Sequence, residues 1–362
     1  MADQEGRGGL CTPTRWRLIA SGVLLAACPL LVLLFERFGE ALSGGYRPFS
    51  KGLLSLQATV ASVAPFALWD FLVVGFALAA LFTLVRRVVR RRPLLPWLSV
   101  VLLVSSATLF LFVSGWALNH YAPSLANEIG LEVGAYTDDE LAAATRHYLE
   151  RAAVLAPSVP RGEDGELLRQ DFYELARIAG GSYRELSESY GIFEGSQAPV
   201  KALLLLGEPL LLSGHVGIFF SPTGESSVPV NCAVADLPFT MCHEAAHRMA
   251  IAREQEANFA AFLACTTSND VRFSYSGYYS AFSFCYGALR RSDPDRAARL
   301  LDEVRTSGLD AGVGLVLADL VATGRHYDAY EGWFGRIGSA VNDGYLRSFG
   351  EREGVKSYGL VV

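Results

Sequence analysis

The sequence predicts a multi-pass membrane protein: three N-terminal transmembrane helices, then a mainly helical α+β domain with a small sheet. Two observations carry this. Of the 362 residues 51% are hydrophobic and only 19% charged, against about a quarter charged in an average soluble domain. That excess is confined to three runs before residue 119. Residues 1–118 therefore form a tail and a membrane anchor, and residues 119–362 form one domain of ordinary composition, large enough for its own core. The mildly acidic net charge of -6 excludes nucleic acid as a main partner.

The first run, Leu18 to Phe35, is uncharged and lies between Arg15 and Arg17 on one side and Glu36 and Arg37 on the other. The second, Pro65 to Val85, is interrupted only by Asp70, and the third, Leu94 to Leu118, has no charge. Each suits the roughly 18–25 residues that cross a bilayer as a helix. Leu25-Ala26-Ala27-Cys28 resembles a lipoprotein cleavage box, but the apolar run continues past it to Phe35, so a retained helix is expected. Asp70 is expected to cap or line the second span near its end.

Orientation follows from Arg86, Arg87, Arg90, Arg91 and Arg92 between the second and third runs. Positive loops stay in the cytoplasm. The N-terminus is then cytoplasmic and the C-terminal domain extracytoplasmic. A fourth apolar stretch, Leu203 to Phe220, contains Glu208, Pro209, Gly214 and His215. It reads as two short strands around a Glu-Pro turn, in a β-rich region from Val200 to Asn231. Helices are expected over Glu140–Ala156, Glu166–Ala179 and Arg296–Arg305. Cys232, Cys242, Cys265 and Cys285 allow disulfides in an oxidising compartment, and buried thiols equally.

The chemistry concentrates at Cys242-His243-Glu244-Ala245-Ala246-His247. Histidines four apart lie on one helical face and can present two imidazoles to one metal. Neutral imidazoles with an open position suit Zn²⁺, and Glu244 sits where it can take a proton from a metal-activated water. A second helix is expected over Arg253–Cys265. Glu254, Ala257, Asn258, Ala261 and Cys265 share its one face, so Glu254 supplies the third ligand and Asn258 bonds a ligating imidazole. Glu256 points away from that face and is the weaker alternative.

The pattern from His243 to Ala261 resembles that of gluzincin metallopeptidases, including the ImmA/IrrE type. Most of the chain is similar to a bacterial membrane family of unknown function, domain of unknown function 3810. The matching stretches are Pro65–Asp70, Trp116–Tyr121, Gly217–Glu225, the block from His243 to Phe259, Phe273–Tyr278 and Gly354–Gly359. The resemblance implies a zincin-like domain in a bacterial cell membrane, acting as a zinc metallopeptidase on peptide or protein substrates outside the cytoplasm. Such enzymes place a Tyr or His opposite the base to stabilise an oxyanion. Tyr275 and Tyr279, expected in a short loop after the Glu254 helix, are the candidates. His215 and His326 read as surface or core groups. One departure from the pattern falls at Met249 to Ile251, where a Gly is expected after the second His. The alternative to an enzyme is a non-catalytic membrane sensor or scaffold stabilised by metal.

Overall fold

The computed structural model describes residues 12–349; the Gly354–Gly359 stretch lies outside them. Four helical stretches are long and apolar enough to cross a membrane: Thr12–Ala61, Leu68–Val89, Leu95–Tyr121 and Pro294–Asp328. The first is α1 (Thr12–Ala61), which extends well beyond the run ending at Phe35 because the polar residues after it remain helical. Phe38 has non-helical dihedrals (φ -131°, ψ 16°) and kinks α1 in two. The kink is sharp enough to bring the rings of Phe35 and Tyr46 within 4.9 Å. The second half of α1 packs on α3 (Leu95–Gly115), with the Ser50 hydroxyl donating to the Gly115 carbonyl at 2.6 Å.

Between them runs α2 (Leu68–Val89). Its first turn is tied to the rest of the chain by two carboxylates. Asp70, fully buried, accepts from the backbone N–H groups of Leu204, Leu205 and Leu206. Glu225 accepts from the N–H groups of Leu68 and Trp69, donors that the start of a helix leaves unpaired. A negative charge here also complements the helix dipole. Asp70 therefore holds the loop at residues 204–206 while Glu225 caps α2 itself.

After a short turn come α4 (Leu125–Ile129) and α5 (Asp138–Leu155). A capping box between Thr137 and Glu140 starts α5 where the apolar periodicity predicts a helix. The helix expected over Glu166–Ala179 begins later, as α6 (Phe172–Gly181), because Asp171 supplies the cap that accepts from the Glu174 N–H. Before it, Arg161 pairs with Leu167 in an isolated antiparallel bridge that closes a turn, with the Gly165 N–H donating to the Gly162 carbonyl. Next is α7 (Arg184–Ser189).

The sheet has three strands, β1 (Lys201–Leu203), β2 (Ile218–Phe220) and β3 (Glu225–Pro229), in the order β1-β3-β2. β1 runs parallel to β3 and β2 antiparallel, with Phe219 opposite Ser226. The expected Glu-Pro turn is instead helical: α8 (Gly207–Leu212) contains Glu208 and Pro209 in its first turn, where a proline lacking its N–H costs nothing.

The remaining helices are α9 (Leu237–Arg248), α10 (Glu254–Thr266), α11 (Val271–Ser292), α12 (Pro294–Val304), α13 (Asp310–Asp328) and α14 (Trp333–Ser348). α9 and α10 pack face to face in one core with Leu175, Tyr183 and Phe193. α11, α12 and α13 share a second core with α5. At its centre Arg161 makes a two-pronged ion pair with Asp319, at 2.9 and 2.7 Å. The five described cysteines are free and buried.

Candidate metal centre

Every residue of α9 is buried, so its two histidines are held in a packed core rather than on a surface. Small residues make this possible: Ala245, Ala246, Ala257, Ala260 and Ala261 are all fully buried where α9 and α10 meet. That close approach brings His243, His247 and Glu254 together. Glu254 Oε2 is 3.1 Å from His243 Nε2 and 3.7 Å from His247 Nε2, and the two Nε2 atoms are 3.1 Å apart.

The protons on the imidazoles are set by their other nitrogens. His243 Nδ1 lies 2.8 Å from the Asn258 side-chain oxygen, and His247 Nδ1 lies 2.8 Å from the Ile251 carbonyl. Both partners only accept, so each Nδ1 donates. In the neutral imidazoles both Nε2 lone pairs then face each other and a carboxylate oxygen. Three acceptors turned on one point repel unless a proton or a cation lies between them. Ligand atoms around a tetrahedral ion with bonds of about 2.0–2.1 Å stand about 3.3 Å apart, close to the spacings found. The three residues could hold a metal ion.

Electrostatics follow this arrangement. Burial opposes charge on His247, but the Glu254 carboxylate outweighs it and lifts the imidazole to about 9. Glu254 is itself held well below the usual carboxylate range; burial works against this, and the two histidines overcome it. Burial pushes the Glu244 carboxyl up to about 7. Its Oε2 and that of Glu254 are buried with no hydrogen-bond partner.

The structure separates Glu254 from Glu256. Glu256 pairs with Arg253 at 2.7 Å, and Arg253 also bonds the carbonyls of His120 and Ala122. Arg248 is buried rather than exposed, and burial lowers its guanidinium to about 10. Tyr275 and Tyr279 lie on α11 and not in a short loop, because Asp270 caps the helix before them. Their hydroxyls bond Asp319 and Thr323 of α13 in the second core, so the structure does not turn them to the His–Glu group. His215 bonds Ser213 Oγ, and His326 packs on Tyr327 and Tyr330.

The departure after His247 is a turn. Ala250 takes φ 62°, its N–H bonds the His247 carbonyl and the Ile251 N–H bonds that of Ala246. These are the two bonds of a Schellman end, usually built on glycine. The same turn aims the Ile251 carbonyl at His247 Nδ1, so the alanine alters the strain in the turn and leaves the donor group in place.

Several supporting contacts were not legible in the sequence. The Trp116 indole donates to the His247 carbonyl at 2.9 Å, tying α9 to the end of α3. The Ser226 hydroxyl of β3 donates to the Glu244 carbonyl at 2.6 Å. Gly217 lies against the Glu244 carboxylate, where a Cβ would stand 2.4 Å from Oε1. The one sequence signal for it was a glycine directly preceding Ile-Phe-Phe.

The fold and this site define a mostly helical chain with candidate membrane spans and a buried His–His–Glu donor group on two packed helices. Residues 46–362 match the family model described as a protein of unknown function, DUF3810. The chain belongs to that family. No curated protein and no solved structure matches it.

Proposed function

We propose that the protein is a membrane-anchored zinc metallopeptidase that hydrolyses peptide bonds at the outer face of a bacterial cell membrane. The observation that carries this is the convergence of two Nε2 lone pairs and one carboxylate oxygen, with both Nδ1 protons committed elsewhere. His243, His247 and Glu254 would hold the ion, and two nitrogens with one oxygen suit Zn²⁺. When bound, the ion supplies Lewis acidity that lowers the pKa of a water and polarises a carbonyl.

The chain's own residues do the rest. Glu244, buried beside the donor group, is placed to accept a proton and can return it to a leaving amine. Asn258 and the Ile251 carbonyl hold the two imidazoles in the tautomer that offers Nε2. Among the described residues β2 pairs with β3 alone, which leaves its other edge for an extended peptide beside Glu244. Exposed peptides, surface proteins and cell-wall-associated peptides are the substrate class this placement favours.

The membrane arrangement is part of the same reading. α1, α2 and α3 are the three spans, with residues 119–362 as the zincin-like domain. The stretch Pro294–Asp328 stays with that domain, because α13 packs on α5 and carries Asp319 into an ion pair with Arg161. The arginine-rich loop places the N-terminus inside and the domain outside.

A second reading, a metal-stabilised sensor or scaffold without turnover, draws on the depth of the site: His243, His247 and Glu254 are at most 9% exposed, and closed sites are typical of structural metals. Glu244→Gln in the full chain separates the two. The peptidase keeps its metal and fold and loses turnover. Retained turnover in this variant rules out Glu244 as the base, and an inert wild type that unfolds on chelation favours the scaffold.

A further inference from the structure

The second half of α1 carries two chemically different faces. Arg47, Lys51 and Gln57 bond outward to the rest of the chain: Arg47 to the Pro123 carbonyl, Lys51 to that of Ile192, Gln57 to that of Pro222. Leu42, Phe49, Leu56 and Val60 follow at intervals of seven and four, which puts them together on another face. That face is open: Phe49 is 60% and Leu56 63% exposed.

A second helix repeats the pattern. On α14, Gly335 and Gly338 abut the carbonyls of Leu212 and Ser213, and Tyr345 and Phe349 pack on Phe112 at the end of α3. Its other side presents Trp333, Ile337 and Val341 at intervals of four, all at least 50% exposed. Leu204 and Leu205, beside the first turn of α2, are also exposed.

The level of these residues is set by the spans. α2 has 22 residues and α3 has 21, about 33 Å at 1.5 Å per residue, against a hydrocarbon core of about 30 Å. The two ends of each helix therefore coincide with the two membrane interfaces. Leu204 and Leu205 are held at the first turn of α2 by Asp70. Tyr345 and Phe349 are held at the last turn of α3, and the second half of α1 joins the kink at Phe38 to the start of α2. All three exposed apolar patches thus stand at the same interface, continuous with the lipid-facing sides of the spans.

We infer that the second half of α1 and the helix α14 lie in the headgroup region of the domain-side leaflet, their apolar faces buried in lipid. This rests on the membrane reading of α2 and α3, and not on catalysis. The occupant is the bilayer, because both helices are tied to the ends of helices that lipid covers, and their opposite faces are taken up by hydrogen bonds on α1 and by close backbone and aromatic packing on α14. Amphipathic helices of this kind insert their apolar side by about 5–10 Å.

The test uses the full chain in nanodiscs of phosphatidylcholine and phosphatidylglycerol, with Cys11 and Cys28 changed to Ser. Nitroxides are placed singly through Phe49→Cys, Leu56→Cys, Ile337→Cys and Val341→Cys. Leu78→Cys, mid-way along α2, is the lipid reference, and Val133→Cys is the aqueous one. Collision with oxygen and with a water-soluble nickel chelate gives the depth of each label. The four labels are expected about 5–10 Å below the phosphates, between the two references. Labels as exposed to nickel as Val133, with Leu78 in lipid, overturn the proposal and leave the spans intact. Leu78 in water overturns the membrane reading beneath it. Spin–spin broadening with loss of both collisions shows a second copy on these faces and also overturns it.

Discussion

Gly217→Ala tests whether the Glu244 carboxylate works as a base. A Cβ at this position would stand 2.4 Å from Glu244 Oε1, 2.7 Å from Cγ and 2.8 Å from Cδ, where ordinary contact begins near 3.4 Å. The carboxylate must therefore shift by about 1 Å, and a displacement of that size at a reacting group can cost about 100-fold in rate. The fold should tolerate the change, since the group that yields is the end of a flexible side chain. His243, His247 and Glu254 are untouched, so metal binding should persist. Purified full-length protein in nanodiscs would be compared with wild type for metal content, melting temperature and hydrolysis of a mixed quenched-fluorescent peptide library. The expected result is unchanged metal and melting with turnover down about 100-fold. Turnover equal to wild type, at full metal content, would refute the assignment of Glu244 as the base.

Four other outcomes follow from the geometry. Asn258→Ala removes the acceptor that orients His243, and zinc affinity measured by competition with a chelator should fall about 10–100-fold. Tyr275→Phe and Tyr279→Phe should each cost about 1 kcal/mol of stability in denaturant titrations and leave turnover unchanged, because their hydroxyls serve the second core. Asp319→Ala should cost about 1–3 kcal/mol, since it removes the acceptor shared by the half-buried Arg161 and the Tyr275 hydroxyl. Burial raises the Asp236 carboxyl to about 6, above its unfolded value of about 3.9. Its stabilising contribution is therefore complete below about pH 4 and lost as pH rises through about 6. Asp236→Asn should accordingly raise the melting temperature at pH 8 relative to wild type and give no such gain at pH 4.

Local pattern was a good guide where one segment decides its own structure. The helix over Glu140–Ala156 is legible because Leu141, Ala144, Tyr148 and Ala152 fall on one helical face, and the structure adds a capping box between Thr137 and Glu140 at its start. Apolar spacing from Glu166 predicts an earlier start for α6 than the structure has, because the cap is Asp171 and Leu167 is taken up in the bridge to Arg161. The Glu208-Pro209 pair read as a turn, yet proline in a first helical turn lacks only a donor that would be unpaired anyway. The first apolar run ends at Phe35, three residues before the kink at Phe38, and local composition does not show that helix resumes beyond it.

The candidate site divides in the same way. His243, His247, Glu254 and Asn258 could be grouped from spacing alone, since three or four residues make one helical turn and small residues mark the face that packs. Helical spacing favours Glu254 over Glu256, and what engages Glu256 instead is Arg253, whose contacts with His120 and Ala122 come from distant chain. Tyr275 and Tyr279 were placed by chain proximity to Glu254, but α11 carries them into the core shared with α5 and α13.

From the sequence alone came the apolar runs, the arginine-rich loop and the pair of helices bearing the donor residues, because each depends on composition or on intervals within a few turns. Tertiary structure alone decided that Gly217 and Ser226 flank Glu244 and that Trp116 fastens the site to the end of a candidate span. Those contacts join residues up to 131 positions apart, and hydrogen bonds of about 3 Å across such separations depend on how whole helices pack.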